Sequence, residues 1–172
     1  MIQMTILYEL PQEDTTPVVK NDFFSDAPEE YYFGPDALTY DSVNGYWEFR
    51  THHHPSEQSR SETTYQIRVP RHRVYHVVSM EPYPEWEASY EDKPILTETQ
   101  VQRLVYENIG EETPRVVDST ADEILEPIRY DEESKHWRYR SHEPFYFEDG
   151  HTFTYDTWIP QERVYYALDE TD

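Results

Sequence analysis

The chain has 172 residues, of which 36 are Asp or Glu against 14 Lys and Arg, giving a formal charge of −22; an acid excess of this size disfavours binding to DNA or RNA through neutralised phosphates. It holds no apolar run approaching the ~18 residues that a membrane-spanning helix needs. With no cysteine, disulfides, thiolate nucleophiles and thiolate metal sites are excluded, so a packed core has to hold the fold.

In chain order, Met1 to Leu10 alternates apolar with polar residues and reaches acid by Glu9. That is a strand signal, unlike the basic and apolar opening of an exported precursor, so export by that route is not expected. The segment from Asn21 to Ala37 is dense in rings, with Phe23, Phe24, Tyr31, Tyr32 and Phe33, while Pro28, Gly34 and Pro35 punctuate it as a loop. Leu38 to Asp41 leads through Asn44-Gly45, a strong hairpin signal, into Tyr46 to Thr51. Thr64 to Val69 and Val74 to Val78 read as two more strands, separated by a Pro-x-x-Arg break. The stretch from Glu81 to Pro94 carries three prolines and excess acid, the composition of a linker or extended crossover. Glu98 to Glu107 fits a helix and a strand equally well.

The strongest signal is internal. Sliding the chain on itself by 90 positions lays Tyr40 to Val78 over Tyr130 to Leu168 without a gap, with 11 identities in 39 positions. They are Tyr40/Tyr130, Asp41/Asp131, Trp47/Trp137, Arg50/Arg140, His52/His142, Thr64/Thr154, Tyr65/Tyr155, Pro70/Pro160, Arg73/Arg163, Val74/Val164 and Tyr75/Tyr165. Upstream, Tyr8-Glu9 answers Tyr106-Glu107 at an offset of 98, and Thr16-Pro17 answers Thr113-Pro114 at 97, which puts an insertion of about seven residues between Lys20 and Leu38. The second hairpin has Ser134-Lys135 in place of Asn44-Gly45, which predicts a loop of a different type. The expected organisation is a first β module over 1–80, a linker over 81–101 and a second β module over 102–172.

The conspicuous side chains divide into structural and interface candidates. His52, His53 and His54 alternate faces at a strand end and run into a polar loop, so solvated histidines are expected, with no metal and no cofactor. Arg50, Arg140, Arg73 and Arg163 recur at matching points of both copies, which points to a structural role, either capping strand-end carbonyls or pairing with Asp41 and Asp131. Trp47 and Trp137 are expected as core anchors. No nucleophile with base and orienter, no phosphate-cradling glycine loop and no metal-binding spacing stands out, so no enzyme is expected. Phe23, Phe24, Tyr31, Tyr32 and Phe33 have no counterparts in the second copy, and rings beside acid suit the core and rim of a protein interface.

The order of strand, long loop, strand, tight hairpin, strand, loop, strand, short turn and final strand resembles the SH3-like small barrels, with Val69 to Arg73 and Ile159 to Arg163 in the place of the 3₁₀ turn. This implies an all-β fold of two tandem five-stranded barrels. Lysine is confined to Lys20, Lys93 and Lys135, and acid excess with scarce lysine suits molar salt, where the Debye length shrinks to about 3 Å. With the Tyr-Asp-hairpin-Trp strands and the Ile/Val-Pro-x-x-Arg-Val-Tyr endings, the chain resembles the small acidic proteins of haloarchaea and their tailed viruses. The resemblance implies a structural or assembly component of the virion: decoration, head-completion, connector or tail-associated. Its partners would be other virion or assembly proteins in an oligomer, and neither nucleic acid nor membrane. The alternatives are an acidic DNA-mimic inhibitor of a host defence protein and a haloarchaeal cellular adaptor.

Overall fold

The computed structural model describes residues 3–10, 18–25, 33–52, 62–84, 101–109, 113–143, 148 and 151–169. These residues form twelve strands and three 3₁₀ turns, with no α-helix among them. The first half supplies β1 (Gln3–Leu10), β2 (Val18–Ser25), β3 (Thr39–Asp41), β4 (Tyr46–Thr51), β5 (Tyr65–Pro70) and β6 (Val74–Pro84). The second supplies β7 (Arg103–Tyr106), β8 (Arg115–Asp118), β9 (Ile124–Asp131), β10 (His136–His142), β11 (His151–Pro160) and β12 (Val164–Leu168). Turns η1 (Pro35–Ala37), η2 (Arg71–Arg73) and η3 (Gln161–Arg163) complete the set, the last two standing in the Pro-x-x-Arg breaks.

All strand pairing is antiparallel, and each half uses the same pairing order. In the first, β2-β1-β6 lie side by side and β3-β4-β5 form a meander; in the second, β8-β7-β12 and β9-β10-β11 repeat this. Even an irregularity recurs: the β1–β6 ladder shifts register between Leu7 and Tyr8, opposite Tyr75, and the β7–β12 ladder shifts at Tyr165. Period-2 patterning drives the strands, as in β1, where Met4, Ile6 and Tyr8 are buried and their neighbours are not. Each half thereby closes over its own apolar cluster. Ile6, Tyr8, Trp47, Phe49, Val69 and Val74 build the first, and Leu104, Tyr106, Tyr139, Ile159 and Ile128 the second, with Trp137 and Val164 half-buried against it. Where Phe49 packs on Tyr8 with centroids 5.7 Å apart, Tyr139 brings a hydroxyl that meets the Tyr106 hydroxyl at 2.9 Å.

The strands are arranged in three sheets, and no closed barrel forms among the described residues. Instead β6 pairs with β11, from Trp158 opposite Val77 to His151 opposite Pro84, and merges one sheet from each half into six strands ordered β2-β1-β6-β11-β10-β9. Glu81 to Pro84 therefore continue β6, although their composition reads as the start of a linker. Arg103 to Tyr106 settle part of the ambiguous 98–107 stretch as strand, and 98–100 lie outside the described residues.

Candidate functional site at the joint between the halves

The shared sheet brings the second half against the first core. Trp158 on β11 stacks on Trp47 with centroids 5.2 Å apart and planes at 24°. Trp47 is 1% exposed and its Nε1 donates to His136 Nε2 at 3.1 Å. The other His136 nitrogen, Nδ1, lies 2.8 Å from the Ser134 carbonyl, so the hydrogen-bond network places the proton on Nδ1 and leaves Nε2 to accept. Burial above all, against the Ser134 bond and with help from Arg71, pulls the imidazole down to about 4. His136 is thus neutral at neutral pH, the state the Trp47 bond requires.

Beside it the two 3₁₀ turns meet. Arg71 holds Glu162 with Nη2 2.7 Å and Nε 2.9 Å from Oε1, and its Nη1 reaches the Tyr40 hydroxyl at 3.2 Å. Arg163 Nη2 donates to Glu9 at 3.1 Å and Nη1 to Glu107 at 3.0 Å, while Nε donates to the Val74 carbonyl at 3.2 Å and the guanidinium covers the Tyr75 ring at 4.0 Å. Glu9 also takes Arg73 at 3.2 Å. Burial works to raise the Glu9 carboxyl, but the bonds from Arg163 and then Arg73 outweigh it and hold the group below its usual range. The Glu9–Arg73 pair has its repeat in Glu107–Arg163, and only Arg163 reaches across the joint as well.

The repeated residues behave in part as their pattern predicts. Tyr40 tilts on Trp47 at 5.2 Å and Tyr130 on Trp137 at 5.0 Å. Of the two structural roles expected for these arginines, capping of a strand-end carbonyl is seen for Arg163, at Val74, whereas the pairing with Asp41 and Asp131 is corrected: Arg73 and Arg163 take glutamates on β1 and just after β7, and both aspartates hold turns. Asp41 Oδ1 accepts from the Val43 and Asn44 amides at 3.0 Å each, and Asp131 Oδ1 from those of Glu133 at 3.0 Å and Ser134 at 3.4 Å. The expected difference in loop type is corrected too. Gly45 at φ 76° and Lys135 at φ 59° occupy the same left-handed position, and each donates its amide 2.8 Å to the carbonyl of its aspartate. Arg50 and Arg140 part company: Arg50 lies over the Phe33 ring at 5.1 Å, whereas Arg140 crosses the joint to Glu81 at 2.7 Å.

Among the interface candidates, Phe23 and Phe24 lie on β2, and Phe24, 2% exposed, is a core residue meeting Phe49 edge-on at 5.6 Å. Phe33 is half-buried and stacks on His52 at 4.9 Å. Tyr31 and Tyr32 lie outside the described residues, as do His53 and His54. No three His, Asp or Glu side chains come together as a metal site among the described residues. A cleft of about 550 Å³ in the second half is lined by Tyr139, His142, Glu143 and Tyr155. There the Tyr155 hydroxyl donates to the Glu143 carboxylate, and burial, then that bond, push the phenol to about 12, so it stays protonated and is no base at neutral pH.

Two sheet edges complete the picture. Among the described residues β12 pairs with β7 alone and β5 with β4 alone. On β12, Tyr165 is 64%, Tyr166 54% and Leu168 42% exposed. Sequence reasoning missed this edge, and it missed His136, Trp158, Arg71 and Glu162, none of which has an identical counterpart. No protein-family model, no curated protein and no solved structure matches this chain.

Proposed function

We propose that this chain is a non-enzymatic structural or assembly subunit of a tailed virus particle from a high-salt host, assembled in the cytoplasm of that host and working through protein–protein contacts at its sheet edges. The β12 edge carries this reading: three of the five exposed large hydrophobic side chains among the described residues sit on one five-residue strand. That strand has no charged residue in a chain with 36 carboxylates. Soluble proteins blunt exposed strand edges with lysine, proline or inward charge, and large exposed apolar patches mark contact sites. Each half is read as an SH3-like small barrel opened along a seam. The first strand beside the last, the three-stranded meander and the 3₁₀ turn before the last strand support that reading.

The test is composition of the particle. Virions banded in molar salt and quantified by mass spectrometry should contain the chain at a fixed ratio to the major capsid protein. Recovery in the soluble fraction alone sinks the reading. Capture by a basic nucleic-acid-binding protein that excess duplex DNA reverses would replace it with phosphate mimicry, for which the −22 charge is the motive.

A further inference from the structure

The joint between the halves is head-to-tail. β6, the last strand of the first half, takes β11 from the second; the counterpart of β6 is β12 and that of β11 is β5, and each of these ends a three-stranded sheet. Repeating the relation that carries the first half onto the second brings β5 of another molecule onto β12. We propose that the chain self-assembles head to tail, β5 of one copy adding antiparallel to β12 of the next in the register of the β6–β11 joint. The proposal rests on the assembly reading above and names its partner as a second copy.

The intrachain joint specifies the contact. Trp158 opposite Val77 and Thr157 opposite Val78 become Arg68 opposite Ala167 and Ile67 opposite Leu168, 90 positions apart on both sides. Tyr75 is 8% exposed under the Arg163 guanidinium, whereas its counterpart Tyr165, at the same register shift, is 64% exposed. The residue that would cover it is Arg73 of the incoming copy, the counterpart of Arg163. Arg73 is 55% exposed where Arg163 is 12% exposed. In the joint Arg73 would also reach the Val164 carbonyl and Glu107, as Arg163 reaches the Val74 carbonyl and Glu9.

Charge favours the same partner. β5 and the end of η2 present Arg68 and Arg73, each 55% exposed, in a chain with 14 cations, and the β12 side offers Glu107 and Asp169. Four contacts of the intrachain joint have no identical counterpart between copies: 90 positions on, the Trp158–Trp47 stack becomes Arg68 against Trp137, the Trp47–His136 bond becomes Trp137 against Tyr46, Arg71–Glu162 becomes Gln161 facing His72, and Arg140–Glu81 becomes Arg50 without that glutamate. The joint between copies is therefore weaker than the one within the chain, as reversible assembly requires. A heterologous contact of this kind closes into a ring or runs on as a filament.

The chain has no cysteine, so single-cysteine variants carry no background. Arg68→Cys and Ala167→Cys alter exposed positions, and their mixture in molar KCl, where self-repulsion is screened, is expected to form a mixed disulfide readily. Directly opposed strand residues fall in the 4.4–6.8 Å Cα range a disulfide needs, and diagonal ones lie beyond it. Gln66→Cys with Ala167→Cys is the diagonal control. Sedimentation of the unmodified chain should show concentration-dependent multiples of 20.8 kDa, with Leu168→Asp weakening association at least roughly tenfold by seating a charge in the seam. A mass fixed at the monomer across high micromolar concentrations, or crosslinking no faster than the control, overturns the proposal. A monomer still found in particles leaves the assembly reading standing without this joint. Self-association by a chain absent from particles supports the joint and removes the virion reading.

Discussion

At the joint, two arginines that the repeat makes equal have unequal work. Arg73 has one carboxylate, at 3.2 Å, and is mostly exposed, whereas Arg163 has Glu9, Glu107, the Val74 carbonyl and the Tyr75 ring, and is 12% exposed. Exposed pairs contribute about 0–1 kcal/mol, and a half-buried, multiply bonded cation about 1.5–3 kcal/mol. On the dilute monomer, Arg163→Ala should therefore lower the melting temperature by several degrees and Arg73→Ala by little. Equal losses would show that the cross-joint contacts of Arg163 contribute nothing. The importance of both arginines was legible in the sequence, because they recur at matching points of the two copies; their glutamate partners, Glu9 and Glu107, were not. The asymmetry was not, because it arises from a β6–β11 pairing that depends on which strand edges meet in space. His136 escaped for a related reason: it is a buried acceptor for Trp47 across 89 positions, and no local pattern marks a bond of that span.

At the scale of elements, the alternation in β1 and β4, the hairpins and the 3₁₀ turns were readable because period and turn chemistry are local. The second hairpin misled for a physical reason. Asn-Gly is a strong signal because both residues tolerate positive φ, but the Asp131 carboxylate, holding the Glu133 and Ser134 amides, imposes the same loop on Ser134-Lys135. Lys135 then bears the strain that Gly45 avoids. Lys135→Gly should stabilise the protein by up to about 1 kcal/mol, as the αL preference of glycine predicts. The reciprocal Gly45→Lys should cost a similar amount. A chemical-denaturation midpoint unmoved or lowered by Lys135→Gly would show that the lysine side chain contributes more than its backbone strain removes. The insertion was placed too narrowly as well. Tyr8 faces Lys20 twelve residues on, and Tyr106 faces Arg115 nine residues on, so three of the extra residues belong to the β1–β2 hairpin, ahead of Lys20.

For the molecule as a whole, net charge and the joint pull in opposite directions as salt rises. The −22 charge repels itself at low ionic strength, and that cost falls as the Debye length shortens to about 3 Å in molar salt. Screening also weakens the ion pairs that link the halves, but Arg163 and Arg71 are largely shielded from solvent, with side-chain exposures of 12% and 18%, and buried pairs are screened less than exposed ones. The burial of Trp47, Trp158 and Val77 in the joint, being apolar, is not weakened by screening of charge at all. Relief of repulsion should therefore win, and the melting temperature should climb between dilute buffer and molar KCl. Sodium sulfate at matched ionic strength separates the causes: it strengthens apolar burial in addition to screening, so a rise seen in sulfate but not in KCl would assign the effect to burial. A midpoint unchanged in KCl would mean that the carboxylates are spaced too widely to repel, which would remove the high-salt reading and leave their acidity to be explained by a cationic partner.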